Sequence, residues 1–162
     1  SGNAAMLKLT GEYQHVVEGK GRVLVSNKLR SQIDVDRHGG DFYLVLGANG
    51  VLCLYPERCY EQLVLSMAQD TTAPDEAVDF ERMSFALTSK VELDNQGRLL
   101  LSDKLRKRAG LKEDITLTGS GDHIEIWNTE DWEQYLRDHM AQYQKQMTQA
   151  RQRVMQQQAR ES

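Results

Sequence analysis

Two short stretches of the chain repeat a set of residue types that can bind an anion. Glu18, Gly21 and Arg22 form the first set, and Asp94, Gly97 and Arg98 form the second at the same spacing. A guanidinium beside a tight glycine turn can bind a phosphate through two parallel hydrogen bonds or read the edge of a guanine. Alternatively, each acid holds its own arginine across the turn in an exposed ion pair, which contributes about 0–1 kcal/mol. The two interpretations are compatible, because an acid that orients an arginine also prepares it for a ligand.

Both stretches belong to an internal repeat. Residues 19–30 read GKGRVLVSNKLR and residues 95–106 read NQGRLLLSDKLR, which are identical at seven of twelve positions. Lys20 lies between two glycines at a predicted loop tip, where its ammonium group can contact a phosphate. Further basic residues lie on a predicted short helix in each half, where we expect roles that are partly structural and partly electrostatic. They are Lys28, Arg30, Lys104 and Arg106.

The elements that must position these residues recur in both halves. Alternating apolar residues on either side of each glycine turn predict a β-hairpin. In the second half, Asp94 is predicted to accept backbone N–H groups two residues on, and Gly97 to adopt the left-handed conformation that closes the turn. Ser26 and Ser102 are suitable N-caps for the short helices that follow, and Gly110 is a suitable end for the second one.

Each half is predicted to end with another hairpin and a longer helix. The hairpins are expected over 43–55 and 115–127, and the helices over 56–68 and 128–143. Pro56 stands at the first helical position of its helix, which has apolar residues at i, i+3, i+4 and i+7, and the second helix also places its apolar residues on one face. The pattern therefore predicts an α+β protein that contains one structural unit twice.

The duplication also predicts the domain organisation. We expect a first repeat over 6–68, a connecting segment over 69–87, a second repeat over 88–143 and a Gln-rich segment over 144–162. Within the connecting segment, 69–77 is the predicted linker, and 78–87 is predicted as a helix in preference to an alternating strand. The Gln-rich segment either prolongs the last helix as an oligomer contact or forms a polar tail, and the sequence leaves both open.

The distribution of charge favours an anionic partner more than the net charge of −4 does. Residues 18–38 carry a net +2 and residues 90–108 a net +3, whereas 56–86 and 119–138 each carry −5. Basic charge is therefore concentrated in the repeated segments. A mixed, solvated surface is the alternative explanation.

Few features favour catalysis, a metal or a membrane. The four histidines show no metal-ligand spacing, and His15 and His123 lie in strand patterns where a half-buried role is ordinary. Cys53 and Cys59 are expected to be buried, reduced thiols. There is no phosphate-binding loop before a long helix and no run of 18 apolar residues. We therefore expect no catalytic residues, no metal, no cofactor and no membrane partner.

The duplicated D-x-x-G-R-apolar-x-apolar turn, the LR that follows it and the closing W/Y-E-x helix resemble the bacterial MraZ family. The resemblance covers about residues 6–143. Arg22, Asp94 and Arg98 match the motif of the family, whereas Glu18 stands where the family has Asp. Ser26 and its counterpart in the second half stand where the family usually has Pro.

The resemblance implies a fold of two fused, swapped-hairpin, AbrB-like β-barrel halves with short helices and two longer peripheral helices. It implies a cytoplasmic, nucleoid-associated transcriptional regulator that forms homo-oligomeric rings and binds double-stranded DNA. The expected target is a set of direct repeats in the promoter of the division and cell-wall gene cluster. The residues expected to bind DNA are Lys20, Arg22, Lys28, Arg30 and Arg98, and those expected to support the motif are Glu18, Gly21, Asp94 and Gly97.

A different class of function stays open beside this one. The chain can instead be an oligomeric scaffold or an antitoxin-like module whose Gln-rich C-terminal helix binds a protein partner. Loss of function on removal of 144–162, with dispensable turn arginines, would favour that alternative. RNA binding is a weaker third hypothesis, because no strand has the aromatic pattern of an RNA-recognition motif.

Overall fold

Segments that alternate apolar and polar residues form the β-strands, because this period places every second side chain on one face. The computed structural model describes residues 6–69 and 74–162. Within these residues the strands are β1 (Glu12–Val16), β2 (Arg22–Leu24), β3 (Phe42–Leu46), β4 (Leu52–Pro56), β5 (Ser89–Val91), β6 (Arg98–Leu100), β7 (Asp114–Gly119) and β8 (Ile124–Asn128). Six of them form an antiparallel sheet in the order β1–β7–β8–β4–β3–β5, and β2 pairs with β6 in a separate ribbon.

The α-helices of the same residues are α1 (Asn27–Arg30), α2 (Val35–His38), α3 (Glu57–Gln69), α4 (Pro74–Ala86), α5 (Asp103–Ala109) and α6 (Thr129–Glu161). The short helices α1 and α5 begin at the predicted serine caps. The Ser26 hydroxyl accepts the Lys28 N–H at 3.2 Å, and the Ser102 hydroxyl accepts the Leu105 N–H at 3.2 Å. Gly110 follows α5 with φ = +61°, so the predicted caps and the predicted helix end are confirmed.

One hydrophobic core is shared by both halves of the repeat. Its most deeply buried side chains are Leu9, Val23, Leu29, Leu44, Leu52, Leu54, Leu99, Leu101, Ile115, Leu117, Ile124 and Ile126. Val23 of β2 lies directly opposite Leu99 of β6, and both are fully buried. The inner face of the ribbon is therefore part of the core, and neither half buries its apolar residues alone.

The two glycine turns are confirmed, but the prediction that each turn joins two paired strands of one hairpin is wrong. β1 pairs with β7, β5 pairs with β3, and β2 pairs with β6. Next to the first turn, a single bridge between Glu18 and Arg22 is described within its own half. Strands pair where their apolar faces can be buried, and pairing between the halves buries Val23 and Leu99 against one core.

The α+β class is confirmed, and the sheet differs in one respect from the expected barrel halves. β1 and β5 lie at opposite ends of the strand order, and no pairing between described residues joins them. The two strands after the glycine turns pair with each other and, among the described residues, with no strand of the larger sheet, so they do not bridge its edges. The described strands therefore form an open sheet and a ribbon.

The second hairpin of each half is confirmed as β3–β4 and β7–β8. Pro56 was expected to open a helix but is the last residue of β4, opposite Phe42, and α3 begins at Glu57. The helix predicted over 78–87 is confirmed as part of α4. The linker predicted over 69–77 lies partly outside the described residues, and α4 already begins at Pro74.

The chain divides into two compact units, the second of which spans Glu130–Ser162. This unit is one continuous helix to Glu161, so the Gln-rich segment prolongs α6. Among its exposed apolar side chains are Met140, Tyr143, Met147 and Val154, spaced by three, four and seven residues. Among the described residues, no helix is both long enough and apolar enough to span a membrane.

Candidate nucleic-acid interface

The first glycine turn is closed by backbone hydrogen bonds. The Glu18 N–H donates to the Arg22 carbonyl at 2.8 Å, and the Arg22 N–H donates to the Glu18 carbonyl at 2.9 Å. Gly19 has φ = +51° and Gly21 has φ = +104°, which are values that residues with a Cβ rarely adopt. The turn therefore leaves the exposed side chain of Lys20 at its tip, as the sequence predicted.

The second turn is held by the side chain of Asp94. Its Oδ1 accepts the Arg98 N–H at 2.9 Å and the Gln96 N–H at 2.8 Å, which confirms the predicted contact two residues on. The backbone hydrogen bond from Arg98 lowers the pKa of the Asp94 carboxyl, together with the bond from Gln96 and the positive charges of Arg98 and Arg22. The turn therefore favours the ionised acid.

Each turn is fastened to the strand of the other half. The Leu101 N–H donates to the Gly21 carbonyl at 2.8 Å, and the Val25 N–H donates to the Gly97 carbonyl at 2.9 Å. Both glycines are buried. A Cβ on Gly21 would collide with the Leu101 carbonyl oxygen, and a Cβ on Gly97 would collide with the Arg30 guanidinium. Gly21 and Gly97 occupy equivalent positions of the repeat, and each makes the same contact with the other half of the chain.

The acid–arginine contact that the structure contains is also reciprocal. Glu18 Oε2 lies 3.2 Å from Nε of Arg98, which belongs to the other turn. Arg98 also donates from Nη1 to the Gln96 side chain. The alternative interpretation that each acid pairs with its own arginine is therefore wrong for Glu18. The crossed partner follows from the pairing of β2 with β6, which places Arg98 diagonally across from Arg22, the backbone partner of Glu18.

The outer face of the ribbon brings the two turn arginines together. Arg22 lies opposite Leu100, and Arg98 lies opposite Leu24, so the two arginines are diagonal neighbours about 7–8 Å apart between Cα atoms. Arg22 is exposed, and no ion pair of Arg22 occurs within the described ranges. Arg98 is half-buried by its contact with Glu18. The ribbon therefore offers one exposed guanidinium and one guanidinium oriented by an acid on the same face.

A cleft of about 340 Å³ runs beside this face. It is lined by Arg22, Glu92, Leu93, Asp94, Arg98 and Leu100. Two carboxylates and two guanidinium groups thus share the surface, so charge alone does not make it strongly basic. A two-stranded antiparallel ribbon has the dimensions to enter the major groove of DNA, where guanidinium groups pair with guanine edges.

The remaining predicted site residues differ in their surroundings. Lys28 is exposed on α1, the short helix that follows β2 in the chain. Arg30 is half-buried, its Nε donates to the Val25 carbonyl at 2.9 Å, and its guanidinium lies beside Gly97. Arg106 has the equivalent place beside Gly21. The side chains of Arg30 and Arg106 therefore each lie against the glycine of the turn in the opposite half.

Sequence reasoning did not single out Leu100. Its side chain is 61% exposed on the outer face of the ribbon, directly opposite Arg22. The strand period of two could have identified it, because successive side chains of a strand point to opposite faces. Leu99 and Leu101 on either side are fully buried, so Leu100 faces outward. An exposed leucine between two arginines can make an apolar contact with a thymine methyl group.

Comparison with known proteins places the chain in a family. A family model described as "MraZ protein, putative antitoxin-like" matches twice, over residues 9–82 and 84–157. The duplication read from the sequence is thus reproduced, with each copy covering nearly half of the chain.

Relatives of similar length carry a consistent name. "Transcriptional regulator MraZ" of Finegoldia magna is 34% identical over 132 residues, which cover 82% of this chain and 89% of the relative. The protein of the same name from Lachnoclostridium phytofermentans is 35% identical and covers 80% and 88%. The one from Lactobacillus delbrueckii subsp. bulgaricus is 36% identical and covers 77% and 84%. The chain therefore belongs to the MraZ family, whose members named here are transcriptional regulators and not enzymes.

Proposed function

We propose that this protein is a sequence-specific, double-stranded-DNA-binding transcriptional regulator whose β2–β6 ribbon enters the major groove. The observation that carries the proposal is the presence of Arg22 and Arg98 on one face of a solvent-accessible two-stranded ribbon. The name of its relatives supports a role in transcription. The family resemblance extends the proposal to direct repeats in the promoter of the division and cell-wall gene cluster, read by the protein in the cytoplasm at the nucleoid.

In this proposal the arginines have different tasks. Arg22 is exposed and contacts a base edge or a phosphate, whereas Arg98 is oriented by Glu18. Lys20 and Lys28 are exposed before and after β2 in the chain, and they contact the phosphate backbone. Arg30 contributes long-range attraction while it holds the second turn. Phosphate contacts position the protein, and base contacts at the ribbon provide its specificity.

The experiment that tests the proposal is selection of bound sequences from a random double-stranded DNA pool, followed by salt titration of the selected sequence. A recurring sequence motif is expected. With about three to four cations in contact for each ribbon, log K should fall against log salt with a slope of about −3 to −4 per bound subunit. Recovery of unenriched sequences, or binding that salt does not weaken, would contradict the proposal.

We also propose that the protein acts as a homo-oligomeric ring. Its α4 exposes large apolar side chains, each at least 50% accessible: Val78, Phe80, Met83 and Phe85. Apolar groups on an exposed surface in this number are typical of an interface. One ribbon offers few contacts, so a ring that holds several ribbons raises the effective concentration for neighbouring DNA repeats.

The oligomer proposal predicts a mass that is a multiple of the 18.5 kDa chain. Light scattering at micromolar concentration should report it. Phe80→Glu should lower the mass, because a charge at an apolar interface is costly to bury. Glu81→Gln, one position along on the exposed surface of the same helix, should leave the mass unchanged. A wild-type particle of 18.5 kDa would refute the proposal.

A second candidate function has its own support in α6. The helix spans 33 residues and places Met140, Tyr143, Met147 and Val154 along one exposed stripe. Such a stripe can bind a helix of another protein, as the scaffold or antitoxin-like alternative requires. Removal of 144–162 distinguishes the two functions. DNA binding that survives the truncation and depends on Arg22 favours the regulator, whereas loss of activity with a dispensable Arg22 favours the partner-binding module.

A further inference from the structure

Three potential metal ligands of different chemistry converge on one face of the larger sheet, outside the candidate interface. They are the thiol of Cys53, the imidazole of His123 and the carboxylate of Glu125. Their ligand atoms all lie within 4.8 Å of one another. The sequence spacing of the histidines did not indicate this cluster, because Cys53 belongs to the first half and the other two ligands belong to the second.

Strand register explains why the three groups meet. Cys53 of β4 is paired directly with Glu125 of β8, so their side chains lie on the same face of the sheet. His123 lies in the bend that immediately precedes β8, two residues before Glu125, and its ring reaches the same cluster. Two of the three ligands are therefore positioned by paired central strands, and the third by the bend that leads into one of them.

The surroundings of the cluster orient two of its ligands. His123 Nδ1 donates to Asp122 Oδ1 at 2.8 Å, and this contact leaves Nε2 facing Glu125 Oε2 at 3.2 Å. The Trp127 indole N–H donates to the other oxygen of Glu125, Oε1, at 3.0 Å. The ring of Tyr55 stacks on the imidazole with 4.7 Å between ring centroids. A carboxylate on the far nitrogen of a histidine is the usual support of a metal-binding imidazole.

We propose that Cys53, His123 and Glu125 bind one Zn²⁺ ion, with water as the fourth ligand. A thiolate, an imidazole and a carboxylate together suit zinc, whereas Mg²⁺ and Ca²⁺ prefer oxygen ligands alone. Zinc bonds of about 2.0–2.3 Å place tetrahedral ligand atoms about 3–4 Å apart, so small side-chain rotations complete the site. Cys53 is buried while His123 and Glu125 remain partly accessible, so the ion enters from the solvent side.

A metal at this place joins the two halves of the repeat. Cys53 lies on β4 of the first half, and the other two ligands lie on or next to β8 of the second half. The ion thus binds the folded sheet, in which β4 and β8 are paired, and not the unfolded chain. Binding to the folded state alone raises the stability of that state.

The proposal is tested by adding Zn²⁺ or Co²⁺ to the full-length chain after treatment with a chelator. One equivalent of Co²⁺ should bind and give a thiolate-to-cobalt charge-transfer band that Zn²⁺ abolishes. Zinc at about one hundred times Kd should raise Tm by at least about 5 °C. Asp122→Asn should weaken binding about 10–100-fold, because it removes the support of the imidazole and no ligand.

Ligand variants and one matched thiol variant complete the test. Cys53→Ser and Glu125→Gln should each weaken zinc binding by at least about 100-fold. Cys59→Ser removes the other buried free thiol, which lies outside the cluster, and should bind zinc as the wild type does. Wild-type protein without a charge-transfer band, or folded Cys53→Ser with unchanged affinity, would overturn the proposal. If Cys53→Ser does not fold, unchanged zinc affinity of folded Glu125→Gln would overturn it.

Discussion

Arg22→Ala is expected to weaken binding to a single DNA repeat by about 10–100-fold, and to weaken binding to two adjacent repeats by about the square of that factor. One bidentate arginine–guanine contact contributes about 1–3 kcal/mol of discrimination. On tandem repeats, two ribbons of one oligomer each lose the contact, so the two losses add in free energy. Gel shifts of wild type and variant on one-repeat and two-repeat DNA measure both factors.

The folding of Arg22→Ala should be unaffected. Arg22 is exposed and has no ion pair within the described ranges, so its removal should change the free energy of unfolding by less than about 0.5 kcal/mol. Circular dichroism and thermal melting test this point.

Arg37→Ala is the matched control for charge. Arg37 is also exposed, lies on α2 outside the ribbon, and pairs with Asp34 at 3.5 Å. Its loss should reduce binding only slightly and without a change in sequence preference. A folded Arg22→Ala protein that binds both DNAs as the wild type does would refute the role of the ribbon. Equal wild-type affinity for one and two repeats would refute the contribution of neighbouring subunits.

Gly21→Ala is expected to destabilise the protein by about 3–5 kcal/mol, a large part of the 5–15 kcal/mol of a typical domain. An alanine at φ = +104° adopts a strained backbone conformation, which costs about 1–3 kcal/mol. Its Cβ also collides with the Leu101 carbonyl oxygen, and relief of the collision weakens the 2.8 Å bond from the Leu101 N–H to the Gly21 carbonyl. The contact between the two halves is thus lost together with the turn.

Gly19→Ala provides a control within the same turn. Gly19 also has a positive φ, +51°, but a Cβ there meets no atom within 4 Å. This variant should lose only about 1 kcal/mol, the usual cost of a left-handed alanine. Urea denaturation measures both variants. Similar shifts of the denaturation midpoint for Gly21→Ala and Gly19→Ala would show that the reciprocal contact contributes little to stability.

Local chemistry explains most of what could be predicted. The hydrogen bonds of Asp94 and the caps formed by Ser26 and Ser102 depend on groups two to four residues away, and all three predictions are confirmed. The end of α5 at Gly110 is another such case. The apolar residues of 78–87 were compatible with a helix or with an alternating strand, and the prediction of a helix was correct.

The predictions that failed concern partners distant in the sequence. Adjacent strands around a tight turn usually form a hairpin, but β2 pairs with β6 because Val23 and Leu99 are then buried together. The partner of Glu18 changed for the same reason, from Arg22 to Arg98. Pro56 could end a strand or open a helix by its local chemistry, and its pairing with Phe42 places it in β4.

By itself, the sequence determined the duplication, the α+β class, the two glycine turns and the exposure of Lys20 and Arg22. These features depend on side-chain period and turn chemistry within a few residues. Only the tertiary structure decided that the two arginines share one ribbon face and that Cys53 lies beside His123. Both outcomes depend on strand register between the halves, which is set by the joint burial of apolar faces and not by any local signal.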